Sequence, residues 1–218
     1  MDSGGGLFFA LLGAAVSVGS LHSLAPDHWV PFAALARAQG WPARKTALIT
    51  FLCGFGHVTV SALLGLLGLF FGRQLFERLG QRMEAVAGLL LVGFGLAYGL
   101  WGLRRAVGTR VHGHPHAHYD HFHDPSRATA WSLFLLFSAD PCVAVIPLLF
   151  SAAPLGTGQT VAIVLLYEAA TIGTMIPLVL SARAGAVRLR LPLLDRWGDA
   201  VAGGVILVTG LVVGLLGI

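Results

Sequence analysis

The sequence predicts an all-α polytopic membrane protein of six transmembrane helices, built as a 3+3 inverted repeat whose first and fourth helices are broken. Three observations predict this class. Hydrophobic residues make up 56% of the 218 residues and charged residues 11%, with a mean hydropathy of +0.80, which excludes a water-soluble domain. Apolar runs lie at about 6–26, 46–72, 83–103, 129–153, 159–182 and 199–218. Each is close to the roughly 20 residues that a bilayer core requires. Two of the runs are interrupted by a proline beside an acid, Pro26-Asp27 in the first and Asp140-Pro141 in the fourth.

All six runs are expected to be helical, because a lone strand leaves its backbone groups unpaired in lipid. The 29 glycines suit close helix packing there. The chain reads as one membrane domain over 1–218, with repeat A at about 6–103, repeat B at about 129–218 and a His-rich loop over 104–128 between them. Three helices per repeat is an odd number, so the second repeat must enter the membrane inverted, a common plan among secondary transporters. The start, Met1-Asp2-Ser3-Gly4-Gly5-Gly6, has no basic region, and the apolar run after it outlasts a signal-peptide core, so the first span is expected to be retained.

Charge sets the expected orientation. The first, third and fifth gaps between runs hold eleven of the 14 Lys and Arg residues. By the positive-inside bias these gaps face the cytoplasm of an inner (plasma) membrane protein, and both termini face outward. Arg73, Arg78, Arg82, Arg104, Arg105, Arg183, Arg188, Arg190 and Arg196 are read as topology anchors. The partner of this basic charge is lipid and not nucleic acid, because no gap is long enough to fold as a reading module.

Run one closes on His22-Ser-Leu-Ala-Pro-Asp-His-Trp-Val-Pro31. Two imidazoles and a carboxylate are costly beside hydrocarbon and mark a functional site. His22, Asp27 and His28 would be spread around a straight helix at about 100° per residue. Pro26 opens the helix, so the three can converge on a divalent first-row metal, which accepts nitrogen and oxygen donors. The topology expects this stretch near the cytoplasmic end of the first helix. Beyond it, Val30–Arg37 is expected as a short amphipathic helix at the membrane interface, or as a re-entrant piece. Run two carries Phe51-Leu-Cys-Gly-Phe-Gly-His-Val-Thr-Val60, where His57 is a candidate ligand and Gly54 and Gly56 allow close approach of another helix.

His22-x4-Asp27-His28, followed by Gly56-His57-x-Thr59-Val60, resembles the nickel/cobalt transporter superfamily, which includes nickel–cobalt permeases, related efflux proteins and urease-accessory membrane proteins. The resemblance covers roughly the first 65 residues and implies that both signatures belong to a metal path. The chain differs in having Pro26 where the permeases usually carry a small residue and in its six runs, and it lacks their later acidic signatures.

In run four, Ser138-Ala-Asp-Pro-Cys-Val-Ala-Val-Ile-Pro147 is similar to Ser23–Pro31, so Asp140 and Cys142 are candidate metal or proton-relay groups. Glu168, the one acid of run five, is a third candidate. Cys53 reads as packing. Two cysteines inside apolar runs exclude a disulfide framework. In the third gap His112, His114, His116, His118, His121 and His123 place six of the nine histidines within twelve residues, an accessory metal-collecting loop by composition.

The expected function is secondary transport of Ni²⁺ or Co²⁺, in a direction left open, with protons as a coupling ion and no prosthetic group. No enzyme constellation and no nucleotide-binding loop is present. The alternatives are a thiol–disulfide electron conductor using Cys53 and Cys142, or a small-anion exporter. The sequence sets no oligomeric state.

Overall fold

The computed structural model describes residues 3–71, 73–108, 125–140, 142, 144–188 and 192–216, and every regular element among them is helical. The helices are α1 (Ser3–His22), α2 (Pro26–Ala38), α3 (Ala43–Phe71), α4 (Arg73–Gly108), α5 (Pro125–Ala139), α6 (Val145–Ala152), α7 (Thr157–Arg188) and α8 (Pro192–Leu216). Five of these are long and apolar enough to cross a membrane: α1, α3, α4, α7 and α8. Their outward faces carry large apolar side chains such as Phe9, Leu63, Leu89 and Leu165, as lipid-facing helices do. The fourth apolar run is divided between α5 and α6, of 15 and 8 residues.

The break after α1 follows from its sequence. Ala25 is extended (φ −58°, ψ 135°), as a residue before proline prefers, and Pro26 then takes the first position of α2, where its missing amide hydrogen costs nothing. α2 ends in a Schellman motif. Gly40 adopts the left-handed φ of +62°, its N–H reaches the Arg37 carbonyl, and Trp41 N–H donates to the Ala36 carbonyl at 2.9 Å. α2 does not lie as an amphipathic helix on an interface. Phe32, Leu35 and Ala36 are almost fully buried, in a cluster with Trp41, Leu133, Phe137, Met175, Val179 and Ile206. Other boundaries also move. The stretch 73–82, expected as a loop, is the first part of the 36-residue α4, and α7 runs 32 residues through Pro177. Pro is tolerated in membrane helices when neighbours satisfy the freed carbonyl.

Contacts between helices define directions. Gly19 abuts Tyr167 and Thr171, the Ser20 hydroxyl meets Thr174, and Arg37 reaches the Ala186 carbonyl, so the pair α1 and α2 climbs alongside α7 in the same direction. In the same way His57 meets Phe137, Ser61 meets Cys142, and Gly65 faces Leu149, so the pair α5 and α6 climbs alongside α3. α3 and α7 run antiparallel, with Gly54 against Ile172 and Thr59 near Glu168. α4 and α8 pack antiparallel through glycines. Gly99 and Gly203 touch backbone to backbone, and so do Gly95 with Leu207 and Gly210 with Val92, approaches that a Cβ would block.

A polar cluster ties the elements together at one end. Gln39 Nε2 donates to the Tyr98 hydroxyl and to Thr129 Oγ1, both at 2.9 Å, and Tyr98 donates to Asp199 at 2.7 Å. The other Asp199 oxygen accepts from Arg105 at 2.9 Å.

Candidate metal centre

The two helix breaks meet beside α3. Ser23–Ala25 separates α1 from α2, and Asp140–Ala144 separates α5 from α6. Both lie level with His57 and Tyr167, well inside the apolar stretches of α3 and α7. The His22–His28 stretch joins the C-terminal end of α1, a helix of membrane-spanning length, to the first residues of α2. Because α2 continues for 13 residues beyond the break, the chain leaves the bundle only at the Gln39–Gly40 turn.

Three imidazoles converge there. The ring centres of His22 and His28 are 4.2 Å apart, His28 and His57 5.2 Å, and His22 and His57 6.0 Å. Opening the helix at Pro26 brings together side chains that a straight helix would have spread. Two of the rings are held by hydrogen bonds that decide which nitrogen faces inward. His28 Nδ1 lies 3.0 Å from Asp27 Oδ1, and His57 Nδ1 lies 3.1 Å from the Phe137 carbonyl. Carboxylate and carbonyl oxygens only accept, so each Nδ1 carries the hydrogen and each Nε2 presents a lone pair. Both Nε2 atoms are buried without any hydrogen-bond partner among the described residues. Leaving two such acceptors unpaired in a low-dielectric interior is costly and calls for an explanation, of which a bound ion is one. A ring nitrogen fixed by a carboxylate or carbonyl, with the other turned inward, is the usual arrangement of a metal-ligating histidine.

The second break adds sulfur. Cys142 Sγ lies 3.2 Å from His22 Nε2 and 2.8 Å from the Tyr167 hydroxyl. One donor atom each from His22, His57 and Cys142 falls within a 4.8 Å group. Ser61 anchors the break: its hydroxyl donates to the His57 carbonyl and accepts the Cys142 N–H, both at 2.6 Å. Apolar clusters flank the group. Phe137 packs against the rings of His28 and His57 in one, and Val58, Val145, Ile146, Ile163 and Tyr167 form the other.

The remaining candidates sort by position. Asp27 touches His28 and acts on the site through it. Asp140, half-buried at the end of α5, is close enough to act electrostatically on His28 and Cys142. Glu168 turns the other way, its carboxylate 3.5 Å from Thr59 Oγ1. Cys53 is buried in the cluster that holds Phe32 and Phe137 while Cys142 belongs to the other, and both are free thiols. His112, His114, His116, His118, His121 and His123 lie outside the described residues. Sequence reasoning did not single out Ser61 or Tyr167 as parts of the site. A Ser that bonds the carbonyl four residues back is common in helices and carries no signal until the fold sets it beside a break, and the Tyr167 hydroxyl finds Cys142 only through the fold.

Compared with protein-family models, with curated proteins and with solved structures, the chain matches none.

Proposed function

We propose that the protein is a secondary transporter of divalent transition-metal ions, Ni²⁺ or Co²⁺, in the inner (plasma) membrane. The observation that carries this reading is the donor group of His22, His57 and Cys142 with the His28 ring beside it, the Nε2 atoms of His28 and His57 being buried with no hydrogen-bond partner among the described residues. Imidazole with one soft or carboxylate donor suits a first-row metal better than Mg²⁺ or Ca²⁺, and neutral imidazoles replace hydration without excess charge.

A transporter also needs two halves that can move against each other. The pairing of helices supports a 3+3 inverted repeat. The broken pair of each half runs beside a continuous helix of the other, α1 and α2 beside α7 and α5 and α6 beside α3, while α3 opposes α7 and α4 opposes α8. In this reading α1 with α2, and α5 with α6, are each one interrupted span, six in all, and the ion sits where the two interruptions meet. The orientation follows from the charge count: termini outward and the His-rich stretch in the cytoplasm, where it gathers ions. Glu168 and the histidines are the groups available for proton coupling.

The test is transport by the purified full chain in lipid vesicles, with entrapped metal indicator, beside the tolerance of cells that express it to added Ni²⁺ or Co²⁺. Flux that depends on His28 and His57 is expected. Import would sensitise cells and export protect them. Vesicles that pass neither ion, with protein shown to be folded, would overturn the reading.

A further inference from the structure

Resting on the metal reading above, we infer that Cys142 is a direct ligand of the transported ion and that Tyr167 is the residue that positions its sulfur. The cargo is then an ion that accepts sulfur, such as Co²⁺, Ni²⁺ or Zn²⁺, chosen over Mn²⁺ and Mg²⁺.

Three observations meet at this sulfur. First, Cys142 Sγ and His22 Nε2 are 3.2 Å apart, and both belong to the donor group completed by His57. Second, His28 Nε2 and His57 Nε2 are buried acceptors with no partner among the described residues, lone pairs that an ion would satisfy. Third, the backbone around Cys142 is held for the purpose. Its N–H is bound by Ser61, whose own proton goes to the carbonyl of the ligand-bearing residue His57. The sulfur is thereby locked to the same helix turn as the imidazole it accompanies.

The carboxylates are less well placed to supply the additional donor. Asp27 is already committed to His28 Nδ1. Two imidazoles with one thiolate form a donor group with a soft member, and such sets favour Zn²⁺, Co²⁺ and Ni²⁺ over oxygen-seeking Mn²⁺ and Mg²⁺. On binding, the S–metal bond replaces the S–H bond and the proton is released to water. A thiolate has no hydrogen to give, so in the 2.8 Å contact the Tyr167 hydroxyl must then donate to sulfur. Tyr167 is fully buried on α7, and that donation orients the sulfur toward His22 and His57.

Co²⁺ added to the purified full-length protein tests this directly. A sulfur-to-cobalt charge-transfer band in the near ultraviolet is expected in the wild type and in Cys53→Ser, where Cys142 is the only cysteine left, and it should be absent in Cys142→Ser. Tyr167→Phe should keep the band, move its energy, and weaken Co²⁺ binding by about 10-fold or more, the usual effect of losing a hydrogen bond to a ligand. A purely structural role for Tyr167 would lower stability without moving the band. Mn²⁺ should gain on Co²⁺ in competition when serine replaces Cys142. Co²⁺ bound in a His57-dependent way with no sulfur band in Cys53→Ser would overturn this inference and leave the transporter reading standing. Failure of the wild type to bind Co²⁺ or Ni²⁺ at all would overturn both.

Discussion

The two breaks have the same architecture and opposite chemistry. At Ser23–Ala25 the chain opens ahead of Pro26 and delivers two imidazoles and the carboxylate that orients one of them. At Asp140–Ala144 it delivers a thiol whose backbone is held by Ser61. Each break is held by a continuous helix distant from it in sequence. The Ser23 hydroxyl, 2.8 Å from the Gly19 carbonyl, also lies 3.0 Å from the Thr171 carbonyl of α7, and the Cys142 amide is bound from α3. The first break therefore supplies most of the nitrogen donors and their orientation, and the second supplies polarisable sulfur. An ion held between them would touch both halves at once, so that relative motion of the halves changes its coordination.

That division can be broken at several points. The largest effect is expected at His57, where the two breaks meet: His57→Ala should weaken Ni²⁺ or Co²⁺ binding by more than the roughly 10- to 100-fold typical of residues that merely support a ligand. Calorimetric titration of the purified protein measures this, and an unchanged affinity would move the ion elsewhere. Asp27→Asn comes next. It leaves a hydrogen-bond partner for His28 Nδ1 but removes the carboxylate, and should weaken binding by about 10- to 100-fold with little change in thermal unfolding. Asp140→Asn, which acts on His28 only through space, should cost less; a larger loss there would reverse the roles assigned to the two breaks.

The supporting serines sharpen the comparison through stability. Ser61→Ala leaves the Cys142 N–H buried and unpaired, and should destabilise the protein by about 1–3 kcal/mol. Ser23→Ala removes a hydroxyl that only donates to carbonyls, and about 0.6 kcal/mol is expected, the average for polar contacts between membrane helices. Thermal unfolding in detergent ranks the two, and equal losses would mean that the breaks are held alike. The smallest effect at the membrane site is expected from deleting residues 112–123. Total ion uptake by the protein should fall, while one high-affinity site with unchanged affinity remains. Loss of that site would make the His-rich stretch part of it.

Residues that differ chemically from their surroundings were legible in the sequence. His22, Asp27, His28 and His57 stand out in hydrocarbon, Pro26 signals where the helix opens, and Asp140-Pro141-Cys142 signals a second interruption. The course of the chain past the break was not legible. Apolar periodicity ended the first run near Pro26, and nothing local showed that the helix after it would pack into the bundle as far as the Schellman turn at Gly40.

By itself the sequence determined an all-helical chain with several membrane-length helices, the positions of its breaks, and the residue types gathered at them. These depend on hydropathy, proline geometry and ionisable groups, all local properties of the chain. Tertiary structure alone decided that Cys142 would meet His22, 120 positions earlier in the chain, that Ser61 and Tyr167 would hold the second break, and that Asp27 would turn to His28 while Glu168 met Thr59. Such contacts are set by which helix faces pack together. Close approach of glycines and the direction of each helix govern that packing, and no local pattern encodes it.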